Sequence, residues 1–181
     1  PREQPGPAGG GPLQGVRVLT FTQAWAGPWG TELLALLGAD VVQIEARRRA
    51  DIWRTFGRGF DAPVTGPVHD PAKRQRVWNV VGLYNSVNMN KRGITLDMTL
   101  PEGADLFWRL VPRFDVVAES FNTHVMHNWG VTYDRLREHR PDVIFASLSG
   151  YGATGPYARY AANGATIEPM SGLTSLHGYE G

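Results

Sequence analysis

The stretch VRVLTFTQAWAGPWGTELLALLGADVVQIE, residues 16–45, decides the fold. It begins with an apolar, β-branched run at 16–21 that is typical of a buried strand, and Val41–Ile44 is a second run of this kind. Between them, Trp29–Leu37 predicts a helix with Gly38 as its C-terminal cap. Two buried strands joined by a helix predict parallel pairing through a right-handed crossover.

The alternation of strand and helix continues through the rest of the chain. It predicts an α/β fold with a Rossmann-like parallel sheet and flanking helices, in which ligands bind beyond the carboxyl ends of the strands. The further strands are predicted at Gly93–Met98, Asp115–Ala118 and Val143–Leu148. The further helices are predicted from a capping box at Thr99–Glu102 to about Val111, at Thr123–Trp129 before Gly130, and at Tyr133–His139 before Pro141.

Composition excludes several classes of protein. With 18 Lys and Arg against 17 Asp and Glu, the net charge of +1 argues against a nucleic-acid partner. The absence of cysteine excludes disulfides, zinc–thiolate sites, iron–sulfur clusters and a cysteine nucleophile. No apolar stretch is long enough for a membrane span, and residues 1–12 lack the apolar core of a signal peptide, so we expect a cytoplasmic protein. Residues 1–12 are expected to be a disordered lead, and 13–181 to be one folded unit.

Four loops follow predicted strands and should converge on one crevice: Thr22–Pro28, Glu45–Arg49, Glu119–Asn122 and Ser149–Gly152. The basic run Arg47–Arg49 is either a solvated loop or an anion site, and its place beside the crevice supports the second interpretation as much as the first.

Two other motifs have competing interpretations. Gly150–Gly155 matches G-x-G-x-x-G, but it follows the last strand and precedes Pro156, so a simple turn is favoured over a dinucleotide site. His124 and His127 could form a metal pair, but no third ligand is evident, and we expect no metal.

Ordered motifs along the chain resemble the family III CoA-transferases, the group of formyl-CoA transferase, carnitine CoA-transferase and α-methylacyl-CoA racemase. The resemblance begins at Leu13–Leu19, Ala26–Pro28 and Leu36–Glu45. It continues through Asn88–Asp97, Pro101–Gly103, Asp115–Phe121, Ser149–Tyr157 and Met170–Leu173.

This resemblance implies an acyl-CoA thioester as substrate and a carboxylic acid acceptor. Members of the family are longer and have a two-domain interlocked fold. We therefore expect 13–181 to be the N-terminal part of the large CoA-binding domain. Either the chain is a fragment of the family fold, or another chain in a homo- or hetero-oligomer supplies the rest. The implied CoA contacts match Gln23, Ala24, Trp25, Ala26, Arg47, Asn90, Lys91, Ser120, Phe121, Gly150 and Tyr151.

One departure concerns the reaction itself. The family's transferases use an aspartate that attacks the thioester carbonyl, and Gly164 stands at the matching position. Glu168 is the nearest acid. It is either a catalytic substitute or an acid that favours a helix N-terminus, because Pro169 predicts that the next helix begins after Gly164.

The sequence therefore supports two main functional hypotheses. One is an enzyme subunit or domain that transfers or rearranges a CoA thioester, and the other is a non-catalytic CoA-binding subunit of a catalytic homologue. A third, weaker one is an NAD-binding oxidoreductase domain.

Overall fold

Five parallel strands form one sheet in the computed structural model, which describes residues 10–55 and 77–178. The strands are β1 (Arg17–Thr20), β2 (Asp40–Glu45), β3 (Arg92–Thr95), β4 (Val116–Glu119) and β5 (Ile144–Ser147). The helices are α1 (Ala26–Leu36), α2 (Ile52–Thr55), α3 (Gly82–Asn85), α4 (Pro101–Leu110), α5 (Thr123–Asn128), α6 (Tyr133–His139) and α7 (Gly164–Met170).

The strand order is β3-β2-β1-β4-β5, with Val18 of β1 paired to Val41 on one side and Val116 on the other. This is the order of the first five strands in the doubly wound nucleotide-binding sheet. From β1 the chain adds β2 and β3 on one side of the sheet, and it then adds β4 and β5 on the other side. The topological switch point therefore lies between β1 and β4. The carboxyl ends of all five strands lie along the same edge.

The core has two layers, one on each face of the sheet, because successive strand residues point to opposite faces. On one face Ala35 of α1 packs with Val18 and Val41. On the other face, residues of α4, α5 and α6 cover the strands, and Phe107 is fully buried there. A large apolar side chain buried in this way contributes about 1.5–3 kcal/mol.

The predicted α/β fold and its parallel sheet are confirmed. The predicted strands and helices recur, α6 with the predicted bounds and the others with shifted ends. Gly38 adopts φ 103° just after α1, as a left-handed cap residue does. The prediction of a capping box at Thr99–Glu102 is wrong. Thr99 Oγ1 donates to Asp97 Oδ1 at 2.6 Å, and the helix begins after Leu100 without a side-chain cap, because the nearby carboxylate captures the hydroxyl.

The predicted lead at residues 1–12 is described only from residue 10 onward. Residues 1–9 and 56–76 lie outside the described residues. Gly11 approaches the end of α1 so closely that a Cβ would lie 2.1 Å from Leu37 O, which explains a glycine there. Among the helices described, none has the length and apolar character needed to cross a membrane.

Candidate functional site

A cleft of about 280 Å³ opens at the carboxyl ends of β1 and β2, against α5. Its apolar walls include Phe121 and Trp129, whose rings meet edge to face with centroids 5.6 Å apart. The exposed side chains of Arg48 and Arg49 stand at its rim. The other lining residues are Phe21, Gln23, Ile44, Glu45, Ala46, Leu96, Asp97, Met98, Thr99 and Val125.

Hydrogen bonds join the loops around this cleft. The Gln23 N–H donates to Ser120 Oγ at 2.9 Å, which ties the loop after β1 to the loop after β4. Gln23 Nε2 donates to Arg49 O at 3.5 Å, which brings in the loop after β2. Gly27 lies against the loop after β4, since a Cβ on it would stand 2.9 Å from Ser120 Cβ. Three of the four predicted loops therefore converge.

A partly buried ion pair begins at the last residue of β2. Arg54 Nε donates to Glu45 Oε2 at 2.8 Å, and the guanidinium lies 3.6 Å from the centre of the Tyr84 ring. The Tyr84 hydroxyl donates to Glu45 Oε1 at 2.7 Å. Burial raises the pKa of Glu45, but the bonds and charge of Arg54 outweigh it, so this pKa is lowered and the carboxylate stays ionised.

Two residues of this region, Asp51 and Arg54, are missing from the sequence-predicted site. Asp51 is buried and accepts the N–H of Ala24 at 2.9 Å, so it links the loops after β1 and β2. Burial raises its pKa, against the lowering by the N–H groups that it accepts. The available sequence signal was an acid directly before a helix, the pattern of an N-cap.

Asn90 and Lys91 lie at the amino end of β3, away from the cleft. Asn90 Nδ2 donates to Ala35 O at 2.7 Å. Lys91 Nζ donates to Pro28 O at 2.7 Å, to Val87 O at 3.0 Å and to Asn88 Oδ1 at 2.8 Å, which uses all three of its donors. Burial lowers the pKa of Lys91 to about 8. Their assignment as CoA contacts stays a prediction.

Other predicted contacts surround the cleft or lie beside it. Gln23 and Phe121 line it, and Arg47 instead lines a neighbouring cleft of about 430 Å³ beside β3. Gly150 packs against Ala162, and the Tyr151 hydroxyl donates to Thr166 O at 3.2 Å.

The segment that follows the glycine-rich loop differs from the prediction. Helix α7 begins at Gly164, because Asn163 Oδ1 accepts the Thr166 N–H and Thr166 Oγ1 accepts the Asn163 N–H. Pro169 lies near the end of α7, where it removes one backbone bond. The expectation that Gly164 precedes the helix is therefore wrong, and Gly164 and Glu168 share a face one turn apart.

Glu168 has a titratable neighbour. Its Oε1 lies 3.2 Å from His177 Nδ1, and both side chains are exposed. His124, by contrast, hydrogen-bonds Asn122 at 2.7 Å. In 10–55 and 77–178, no three His, Cys, Asp or Glu side chains lie together in a way that could hold a metal ion.

The sequence profile of CoA-transferase family III matches residues 13–181. This chain belongs to CoA-transferase family III. The succinate–glutarate CoA-transferase of Agrobacterium fabrum is 36% identical over 167 residues, which are 92% of this chain and 39% of that protein. The succinyl-CoA–L-malate CoA-transferase alpha subunit of Chloroflexus aurantiacus is 32% identical over 170 residues, 94% of this chain and 36% of that subunit.

The fold agrees with this family assignment. The crystal structure of a CaiB/BaiF family protein from Brucella suis has a TM-score of 0.76 and 35% identity, over 94% of this chain and 42% of that one. The family III chain thus spans less than half the length of the relatives that it matches.

Family membership and geometry together weaken the dinucleotide interpretation. In this family III chain the motif at Gly150–Gly155 follows β5 and forms turns, and the next helix opens only at Gly164. A dinucleotide fingerprint needs the glycines themselves to open a helix.

Proposed function

We propose that this chain forms the CoA-binding part of an enzyme that transfers or rearranges an acyl-CoA thioester. The observation that carries the proposal is the cleft at the ends of β1 and β2, with two arginines at its rim and loops tied around it. Ligands of doubly wound sheets bind at this edge, next to the switch point.

The shape of the cleft favours one end of the CoA molecule. At about 280 Å³ it lies just below the usual range of ligand pockets, about 300–1,000 Å³, so it would hold the nucleotide and leave the pantetheine arm outside. Phe121 and Trp129 offer aromatic surface to the adenine. Arg48 and Arg49 offer planar donors to the phosphates.

Calorimetry with acetyl-CoA, CoA and NAD tests this proposal. We expect both CoA compounds to bind, NAD to bind far more weakly, and Trp129→Ala to reduce CoA affinity. Trp108→Ala, which removes another partly buried ring and lies outside the lining of both clefts, is the matched control and should retain CoA affinity. NAD binding without CoA binding would refute the proposal.

The reactive carboxylate is the second part of the proposal. Glu168 lies one turn from Gly164, and its contact with His177 would help to orient it. Its carboxylate would attack the thioester carbonyl and break the C–S bond, which releases CoA thiolate and forms a mixed anhydride between Glu168 and the acyl group. The thiolate would then attack the glutamyl carbonyl of that anhydride, release the first acid, and leave CoA on Glu168 for a carboxylic acid acceptor.

A second candidate is a non-catalytic CoA-binding subunit, favoured by the glycine at position 164. Intact-mass analysis after incubation with acyl-CoA separates the two. An adduct in the wild type that Glu168→Gln abolishes, and Glu138→Gln retains, supports the enzyme. CoA binding without any adduct overturns the nucleophilic role of Glu168 and favours the subunit over a transferase.

We also propose that further polypeptide, in a homo- or hetero-oligomer, covers the surface around α7. Large apolar side chains are exposed there, which is typical of an interface. They are Tyr157, Tyr160, Met170, Leu173 and Leu176. Light scattering of the purified protein tests this proposal, and a lasting monomer that binds CoA fully would contradict it.

A further inference from the structure

Asp51 joins the loop after β1 to its own segment after β2, because each of its carboxylate oxygens accepts a backbone N–H. Oδ2 accepts the Ala24 N–H at 2.9 Å, and Oδ1 accepts the Trp53 N–H at 2.8 Å. The Asp51 N–H donates in turn to Glu45 Oε2 at 3.2 Å. Only 1% of Asp51 is exposed, so these protein groups, and not water, are its partners.

Ala24 is held in an unfavourable conformation at one end of this link. Its φ is +64°, in the left-handed region that costs a non-glycine residue about 1–2 kcal/mol. Among the described non-glycine residues only Asn90 shares a positive φ, and asparagine tolerates that region. Contacts around Ala24 must therefore hold it, and the bond to Asp51 is the direct one on its N–H.

Trp25 directly follows Ala24, and Trp53 donates its N–H to Asp51, so the two residues flank the hydrogen bonds of Asp51. Their rings meet edge to face with centroids 4.8 Å apart. Trp25 is nevertheless 56% exposed, so much of its ring is free to meet a ligand. Because Asp51 fixes the residue before Trp25 and the backbone of Trp53, it sets how the two rings meet.

We propose that Asp51 is a positioning residue for the CoA thioester, which locks Ala24 in its left-handed conformation so that Gln23 and Trp25 are presented to the ligand. This inference rests on the proposed CoA-binding function. Asp51 is buried and bonded on both oxygens, so it acts through the loop and does not touch the substrate. A plain N-cap role for α2 is the competing explanation.

The variant Asp51→Asn separates these roles. Asparagine caps helices as well as aspartate does, so its one carbonyl oxygen can keep the Trp53 bond. Its amide nitrogen cannot accept the Ala24 N–H, so the loop is released. Ala24→Gly then offers a rescue, because glycine adopts a positive φ without the steric penalty.

The test compares wild type, Asp51→Asn and the double variant by two measurements, CoA affinity and circular dichroism. We expect Asp51→Asn to weaken acetyl-CoA binding about tenfold, the size of one lost hydrogen bond. We expect Asp51→Asn/Ala24→Gly to return to within about threefold of wild type by the same arithmetic. The circular-dichroism exciton couplet of Trp25 and Trp53, defined by its loss in Trp25→Phe, should weaken in Asp51→Asn and return in the double variant.

The readouts distinguish the possible failures. An unchanged couplet in Asp51→Asn, or a loss that Ala24→Gly does not restore, overturns the positioning role. If the wild type binds no CoA, the proposed function fails, and the couplet of the free protein still decides whether Asp51 sets the loop.

Discussion

Glu119 Oε2 accepts the N–H of Phe121 at 2.7 Å, so a buried carboxylate holds the residue that walls the cleft. Glu119 is 1% exposed, and its other oxygen accepts the hydroxyl of Ser147 at the end of β5. The end of β4 is thereby tied to its own loop and to the neighbouring strand.

This carboxylate predicts a pH dependence of stability. Burial raises the pKa of Glu119 above its ordinary value of 4.5, against the lowering by Ser147 and Phe121. The native state therefore binds the proton more tightly than the unfolded state does. The free energy of unfolding falls as the pH rises from the pKa of Glu119 in the unfolded state to its pKa in the folded state. Glu119→Gln does not ionise, and its amide can accept the Phe121 N–H on its oxygen and donate to Ser147 Oγ from its nitrogen, so we expect it to remove the fall.

Urea unfolding of wild type and Glu119→Gln between about pH 5 and about pH 8 measures this difference. We expect the variant to be at least as stable as wild type at the upper pH. Parallel pH profiles for the two proteins would show that Glu119 is not the responsible group.

Ser120→Ala removes the bond that ties the loops after β1 and β4. We expect it to lower the free energy of unfolding by about 1 kcal/mol, the net value of one hydrogen bond, and to weaken CoA binding several-fold. Ser86→Ala removes an exposed serine bond to Leu83 O and should change neither quantity appreciably. Equal effects of the two substitutions on CoA affinity would contradict a special role of Ser120.

Lys91→Met tests whether the hydrogen bonds of Lys91 to backbone carbonyls stabilise the fold. It removes the Lys91 bonds to Pro28 O and Val87 O and leaves Val87 O without a donor, so we expect stability to fall by about 1–3 kcal/mol while CoA affinity of the folded protein is retained. A large loss of affinity at full stability would instead support the direct CoA contact that the family resemblance implies.

The same lysine predicts a second pH effect. Its pKa of about 8 in the folded protein lies below the ordinary 10.5, so the unfolded state holds the proton between these values. The free energy of unfolding should therefore rise with pH across this range in wild type relative to Lys91→Met.

Arg48→Ala/Arg49→Ala tests the anion-binding rim. Both side chains are exposed at the cleft, so we expect weaker CoA binding and a weaker salt dependence of that affinity. The exposed Arg113, outside the cleft lining, provides the control Arg113→Ala. Salt dependence retained in the double variant and lost in the control would place the phosphate site elsewhere.

Gly164→Asp restores a carboxylate at the family position. A Cβ there meets no atom within 4 Å, and an acid in the first turn of a helix is favourable, so we expect the fold to accept it. In a Glu168→Gln background the change should create a covalent adduct with acyl-CoA by intact mass, whereas Gly164→Asn should not. No adduct in either variant would show that position 164 lies outside the reactive geometry.

The fold was predictable because local signals agree with its long-range contacts. The apolar runs before and after α1 and the cap at Gly38 each identify their element without knowledge of the rest. The start of α7 was missed because Thr166, and not the more usual Glu or Gln, completes the capping box with Asn163.

The site was predictable only where topology decides it. Parallel strands bring Gln23 and Ser120 together at one edge, so their loops were correctly expected to meet. Asp51 accepts from Ala24, 27 residues away, and lies in a polar stretch without periodicity, so no local pattern indicates this bond. The direction of the Lys91 side chain likewise depends on where α1 packs, which its sequence neighbours do not reveal.

Hydrogen–deuterium exchange with and without CoA tests the proposed binding cleft most directly. We expect CoA to slow exchange at the amides of 23–25, 48–49 and 120–121, and to leave the amides of 90–91 unchanged. Protection confined to 150–155, with none at the three converging loops, would contradict the proposal that CoA binds at the ends of β1, β2 and β4.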